Sequence, residues 1–183
     1  MKRLIASITL LLVVTCFVLS CEKDDICPET TPTTPSIIVE FYDKDNTEEL
    51  VNVVNFKYYA VGETDTLPAV ADDVTTTFNN IKLPLRTNAT TTKWGLMFTR
   101  RLSNGQFTPY NTDFLEFNYT TNQFYVSRAC GYKTTFTLNP DQPAGSNPKL
   151  TDSDAADGLW IDSFSVETTN IENENETHLK IFL

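Results

Sequence analysis

Residues 36–43 read SIIVEFYD, and residues 50–62 read LVNVVNFKYYAVG. In both, β-branched and aromatic side chains alternate with polar ones or run together, and no 3.6-residue apolar period competes with the two-residue one. A chain whose first core segments are written this way builds strands. The pattern continues in TTTFNNIKLPL (75–85), KWGLMFTRR (93–101), DFLEFNYT (113–120), QFYVSRACGYKTTFTL (123–138), LWIDSFSVET (159–168) and THLKIFL (177–183). Asn104-Gly105 within SNGQ is a hairpin signal, and a second tight turn is expected around Thr121-Asn122. Residues 140–158 read as a long polar loop. Seven to nine short strands with regular turns predict an all-β fold, an antiparallel β-sandwich immunoglobulin-like in general plan. On its longest segment Phe124, Val126, Cys130, Tyr132, Phe136 and Leu138 share a face with Arg128, which would snorkel from an edge. Trp94 and Trp160 lie among apolar neighbours and are expected in the core.

Upstream of the strands the chain changes character. Lys2 and Arg3 precede an apolar run from Leu4 to Leu19, shorter than the ~20 residues of a permanent membrane span. It reads as an export signal, residues 1–20, that is removed. Its end, Leu19-Ser20-Cys21, resembles a bacterial lipobox. That resemblance implies a diacylglyceryl thioether on Cys21, cleavage before it and acylation of the new amine. With each buried CH₂ contributing roughly 0.8 kcal/mol, several acyl chains hold a protein to a membrane without a spanning helix. Residues 21–35, including CPETTPTTP, form an extended tether, and residues 36–183 form the sandwich.

Loss of Lys2 and Arg3 moves the net charge from -10 to -12. So negative a chain is unsuited to nucleic acid, whose phosphates demand clustered Lys and Arg, and to a broad electrostatic contact with anionic lipid. The 163 residues left of 183 suffice for one domain with a core. Cys16 leaves with the signal and Cys21 carries lipid, so Cys27 and Cys130 remain as an even pair in an oxidising compartment. A disulfide is the expectation, since neither has the local spacing of a metal ligand.

Catalytic signatures are sparse. There is no GxSxG, HExxH, Walker loop or GxGxxG. The single histidine, His178, falls opposite Leu179 and Ile181 and is expected on an exposed strand face. TDSDAADG resembles the start of a calcium loop with one acid displaced. Asp152, Asp154 and Asp157 could supply oxygen ligands, but a solvated loop is the stronger reading. Neither a metal nor a cofactor is expected.

Two export features come from resemblance. Lys23-Asp24-Asp25, directly after Cys21, looks like the Lys-acid-acid signal that sends Bacteroidetes lipoproteins to the cell surface. Asp65-Thr66-Leu67 is similar to the O-glycosylation site of the same phylum, with Thr66 the acceptor. CEKDDIC, IKLPLRT, SRACGYKTTF and WIDSFSVETTNIENENETHLKIF together resemble an uncharacterised family of short Bacteroidetes lipoproteins, a domain of unknown function. The resemblance implies a small β-rich domain in the envelope and carries over no catalytic residue. The expected protein is an outer-membrane lipoprotein exposed at the cell surface, with the periplasmic face as the alternative. It would be a non-catalytic binding or accessory module whose partners are the membrane, through its anchor, and an outer-membrane protein or glycan. The competing expectations are a glycan-processing hydrolase with paired carboxylates and a fimbrial or adhesin subunit that donates THLKIFL to a neighbour's sheet edge.

Overall fold

The computed structural model describes residues 26–28, 31, 33–62, 79–139, 146–153 and 157–183, the side chains of residues 101 and 107 excepted. Two compact units form, a large one of Pro32–Phe124 with Lys133–Leu183 and a small one of Met1–Thr31 with Tyr125–Tyr132. Among the described residues the secondary structure is all-β. The strands are β1 (Ile37–Tyr42), β2 (Phe56–Ala60), β3 (Asn80–Leu83), β4 (Thr91–Arg101), β5 (Phe107–Ser127), β6 (Gly131–Leu138), β7 (Lys149–Asp152), β8 (Ser163–Val166), β9 (Asn170–Ile171) and β10 (Leu179–Phe182). They build a mostly antiparallel β-sandwich. One sheet has the order β3-β1-β10-β8 and the other β2-β4-β5-β6-β9, with β7 also laid against β5.

The two-residue period does what the pleat demands, sending alternate side chains to opposite faces. Ile37, Val39 and Phe41 of β1 are wholly buried, and so are Leu179 and Ile181 of β10 to within 1%. From the other sheet Phe56, Tyr58, Trp94, Leu96, Leu115, Phe117 and Phe136 complete one apolar cluster. Trp94 takes its expected place in it, 1% exposed, and its indole N–H donates to the Pro84 carbonyl at 3.2 Å. Trp160 packs edge-on to Phe98 with ring centres 4.4 Å apart, its N–H donating to the Leu96 carbonyl.

β1 and β10 pair in parallel, Val39 opposite Leu179 and Phe41 opposite Ile181. β8 takes the other flank of β10 antiparallel, with Leu179 opposite Val166. THLKIFL therefore closes its own sheet from the middle, and both its edges are occupied within the chain.

Three local expectations need correction. Thr121-Asn122 is not a turn: β5 runs through it for 21 residues. Thr is as much a strand former as a turn former. The reversal falls at Arg128–Cys130 instead, where Gly131, at φ +67°, supplies the left-handed backbone that follows. The polar stretch 140–158 is not all loop either. Its KLTD segment is β7, and Leu150 stands opposite Leu115 in register. Finally, ten strands are present among the described residues rather than seven to nine, and β9 is only two residues long.

Gly95 shows how closely the sheet is packed. It lies opposite Tyr59 in register, and a Cβ added there would meet Tyr59 Cζ at 2.5 Å and Cε1 at 2.7 Å. The ring covers the bare backbone, as aromatic side chains do over sheet glycines. Gly95→Ala should therefore push Tyr59 aside and lower stability by about 1–3 kcal/mol, the usual cost of overpacking. In a Tyr59→Ala background the same change should cost much less. Urea midpoints of the four proteins check this, and equal costs in both backgrounds would refute the clash.

Candidate functional site

Two places in the molecule carry features that core packing does not require. The first is the small unit. Cys27 and Cys130, 103 positions apart, are joined by a disulfide with Cα atoms 4.9 Å apart. The bond fixes the segment around Cys27 to the tip of the β5–β6 hairpin. The Cys130 amide donates to Ser127 Oγ at 3.0 Å and closes the turn. The hairpin tip is not part of the apolar face expected from alternation. Tyr132 is 67% exposed, Val126 36% and Phe124 54%, whereas Phe136 and Leu138 are buried. Period-two patterning reports which side chains share a face, not whether that face is covered. Arg128 is exposed, as a snorkelling side chain should be. Tyr125 and Tyr132 meet edge to face, ring centres 5.5 Å apart. Beside them is a depression of about 550 Å³ whose walls include Ile26, Pro28, Thr31, Val126 and Arg128.

The second place lies in the large unit. Asp113 projects from β5 on the same face as Leu115, Phe117 and Tyr119, and it is fully buried. Its Oδ2 accepts the backbone N–H groups of Trp160 at 2.9 Å and Ile161 at 2.8 Å, while Oδ1 makes no hydrogen bond. Burial pushes its pKa up from 3.8 to about 6 against the two amide bonds that lower it, and Asp152 and Asp157 push it further up. Asp152 stands directly opposite across β5 and β7. It uses its own oxygens on the Ser153 amide at 2.6 Å and the Gly158 amide at 3.0 Å. Close by in sequence, Asn111 Nδ2 donates to the Gly158 carbonyl at 2.7 Å. These three side chains hold the backbone between β7 and β8 in place. A signal for Asp113 was present in DFLEFNYT, where the acid takes a position that alternation reserves for apolar side chains.

The structure redistributes the other residues singled out by sequence. Of the calcium candidates, Asp152 and Asp157 are described, and Asp157 Oδ1 lies 3.3 Å from Ser153 Oγ as a hydrogen-bond partner. Asp154 lies outside the described residues. No group of three or more His, Cys, Asp or Glu gathers for a metal among the described residues. Cys21, Lys23, Asp24, Asp25 and Thr66 also lie outside them.

His178 is not exposed: it is fully buried beside β1. Its backbone N–H donates to the Ile38 carbonyl at 3.0 Å, and its Nδ1 accepts the Ile38 amide at 2.9 Å. The ring thus does a strand's work ahead of β10, turned inward by a bond that alternation cannot foresee. Burial holds its pKa below the ordinary histidine value, although Glu176 and Glu174 favour the cation. A neutral ring is the form that Nδ1 needs as an acceptor.

A family model described as a family of unknown function, DUF6452, matches residues 57–183, a span that holds Asp113, Cys130 and His178. No curated protein and no solved structure matches the chain.

Proposed function

The chain belongs to that family of unknown function, and we propose that it is a lipid-anchored envelope protein, a non-catalytic binding module held close to an outer membrane through Cys21. The observation that carries this reading is the bond between Cys27 and Cys130. It leaves five residues, Glu22–Ile26, between the lipid-bearing cysteine and the folded chain, a reach of at most roughly 18 Å. A tether that short suits a protein whose work is done at the membrane surface.

Its ligand would be an envelope protein or glycan met there. The Lys23-Asp24-Asp25 segment favours the outer face of the cell. The buried carboxylate Asp113, spent on two backbone amides, favours binding over hydrolysis, because a catalytic pair must face a cleft that substrate can enter. β10, flanked on both sides by its own chain, offers no free edge for the exchange that a fimbrial subunit uses.

Fractionation of cells tests the anchor. Cys21→Ser should leave an uncut, unlipidated precursor and remove the mature protein from the membrane fraction; normal partition of that variant would end the proposal. Alanine at Lys23, Asp24 and Asp25 should leave the lipid in place but abolish cleavage by protease added to intact cells. Unchanged cleavage would remove the surface assignment alone.

A further inference from the structure

We propose that the tip of the β5–β6 hairpin is itself a lipid-contacting surface, with Tyr125, Tyr132, Val126 and Ile26 seated among the headgroups of the membrane that holds the anchor. The proposal rests on lipidation of Cys21. It adds a second, non-covalent contact that the anchor alone does not require.

Exposure is the first ground. Ile26 is 81% exposed, Tyr132 67%, Tyr125 59% and Val126 36%. Single exposed apolar side chains are ordinary on any protein. Here four occur among the twelve described residues of one small unit, two of them tyrosines in mutual contact. Tyrosine has an apolar ring and a polar hydroxyl, and that combination is enriched where hydrocarbon meets water.

Charge is the second ground. The chain carries 24 acidic residues and a net charge of -10. The described residues of the small unit include no acid and one cation, the exposed Arg128. Acids near lipid phosphates repel, whereas a basic side chain at an anionic surface contributes about 1 kcal/mol. Within the hairpin tip itself, Tyr125–Tyr132, no acid opposes a phosphate layer.

Distance is the third and decides the occupant. The disulfide joins Cys130 of the tip to Cys27, and Cys27 follows the anchored Cys21 by six positions. Six steps of ~3.5 Å from Cys21 to Cys27 and the 4.9 Å across the disulfide therefore keep Cys130 within roughly 26 Å of the anchored residue. Headgroup layers add roughly 5–8 Å to each side of the hydrocarbon, so a leash of this length keeps the apolar groups of the tip within reach of lipid at all times.

The test uses the lipidated full-length chain with Tyr132→Trp, and separately Tyr125→Trp, reconstituted into phosphatidylcholine–phosphatidylglycerol vesicles. Both positions are exposed enough to accept an indole, and with the half-buried Trp160 replaced by Phe and Trp94 buried, the new side chain reports on the tip. The introduced indole should shift its emission to the blue and lose most of it when the acyl chains carry bromine near the glycerol. In a Cys27→Ser/Cys130→Ser background, where the tether is longer, the quenching should fall by several-fold. Protein that floats with the vesicles but keeps a water-exposed, unquenched emission would overturn the tip proposal and leave the anchor intact. A shift produced only by adding envelope protein would do the same and point to a protein partner. Failure to float, with no acyl mass on Cys21, would overturn the anchor and the tip together.

Discussion

Serine at both Cys27 and Cys130 lowers the free energy of unfolding by several kcal/mol and leaves the sandwich folded. The two cysteines lie 103 positions apart, and a cross-link across about a hundred residues removes roughly 4.7 kcal/mol of chain entropy from the unfolded state in the loop-closure model. Little native packing is lost with it, because Cys130 sits at an exposed hairpin tip and not in the apolar cluster. The effect thus belongs mainly to the unfolded chain, which should also expand. Chemical denaturation should therefore show a lower midpoint and a steeper denaturant dependence for the double variant. Coincident transitions would mean that the bond constrains nothing that unfolding releases. A second consequence reaches the membrane. With both thiols gone, the next ties to the sandwich among the described N-terminal residues are the Thr34 hydroxyl, which accepts from the Thr134 amide, and the Ser36 amide, which donates to Glu174. The tether then grows to Glu22–Thr33, twelve residues, and its reach from about 18 Å to about 42 Å.

Much of the sandwich is legible in the sequence because pleated strands write their burial in a period of two. SIIVEFYD and KWGLMFTRR needed no further information: Ile37, Val39, Phe41, Trp94 and Leu96 are where alternation places them. What escaped depends on contacts between distant segments. His178 turns inward because Ile38, 140 positions away, offers an amide to its ring. Tyr125 and Tyr132 sit on a strand pair whose face nothing in the large unit's apolar cluster includes. β7 hides in a polar stretch because one leucine, Leu150, is enough to seat a strand on β5 when Asp152 and Asp113 organise the rest. Asp113 is the instructive case. Its anomalous phase within DFLEFNYT is visible, yet only the fold shows that the acid faces two backbone amides.

That arrangement predicts an unusual dependence on pH. Asp113→Leu keeps an apolar side chain of similar size but strands the amides of Trp160 and Ile161. Each buried donor left without a partner costs about 1–3 kcal/mol, so a loss of roughly 2–6 kcal/mol is expected for the two amides. Asp113→Asn should behave oppositely. Its carbonyl oxygen can accept the same two amides, and its NH₂ takes the position of the orphaned Oδ1 without a charge. The wild-type carboxyl has its pKa raised from 3.8 to about 6 in the folded protein. Between about pH 4 and 6 the native state then binds a proton that the unfolded state has released, and stability rises as pH falls through that window. Above about pH 6 the native state carries a buried charge, at a cost of at most about 3 kcal/mol relative to the neutral form. His178 acts in the other direction: its lowered pKa makes stability fall as pH drops below the ordinary histidine value. The comparison that isolates Asp113 is therefore wild type against Asp113→Asn, in which the histidine contribution cancels. Denaturation midpoints should show the asparagine variant ahead at pH 7.5, with its advantage shrinking to about a third by pH 4.5 and vanishing only below about pH 3. A constant difference across that range would mean that Asp113 stays ionised throughout, and that its amide bonds, not burial, set its charge.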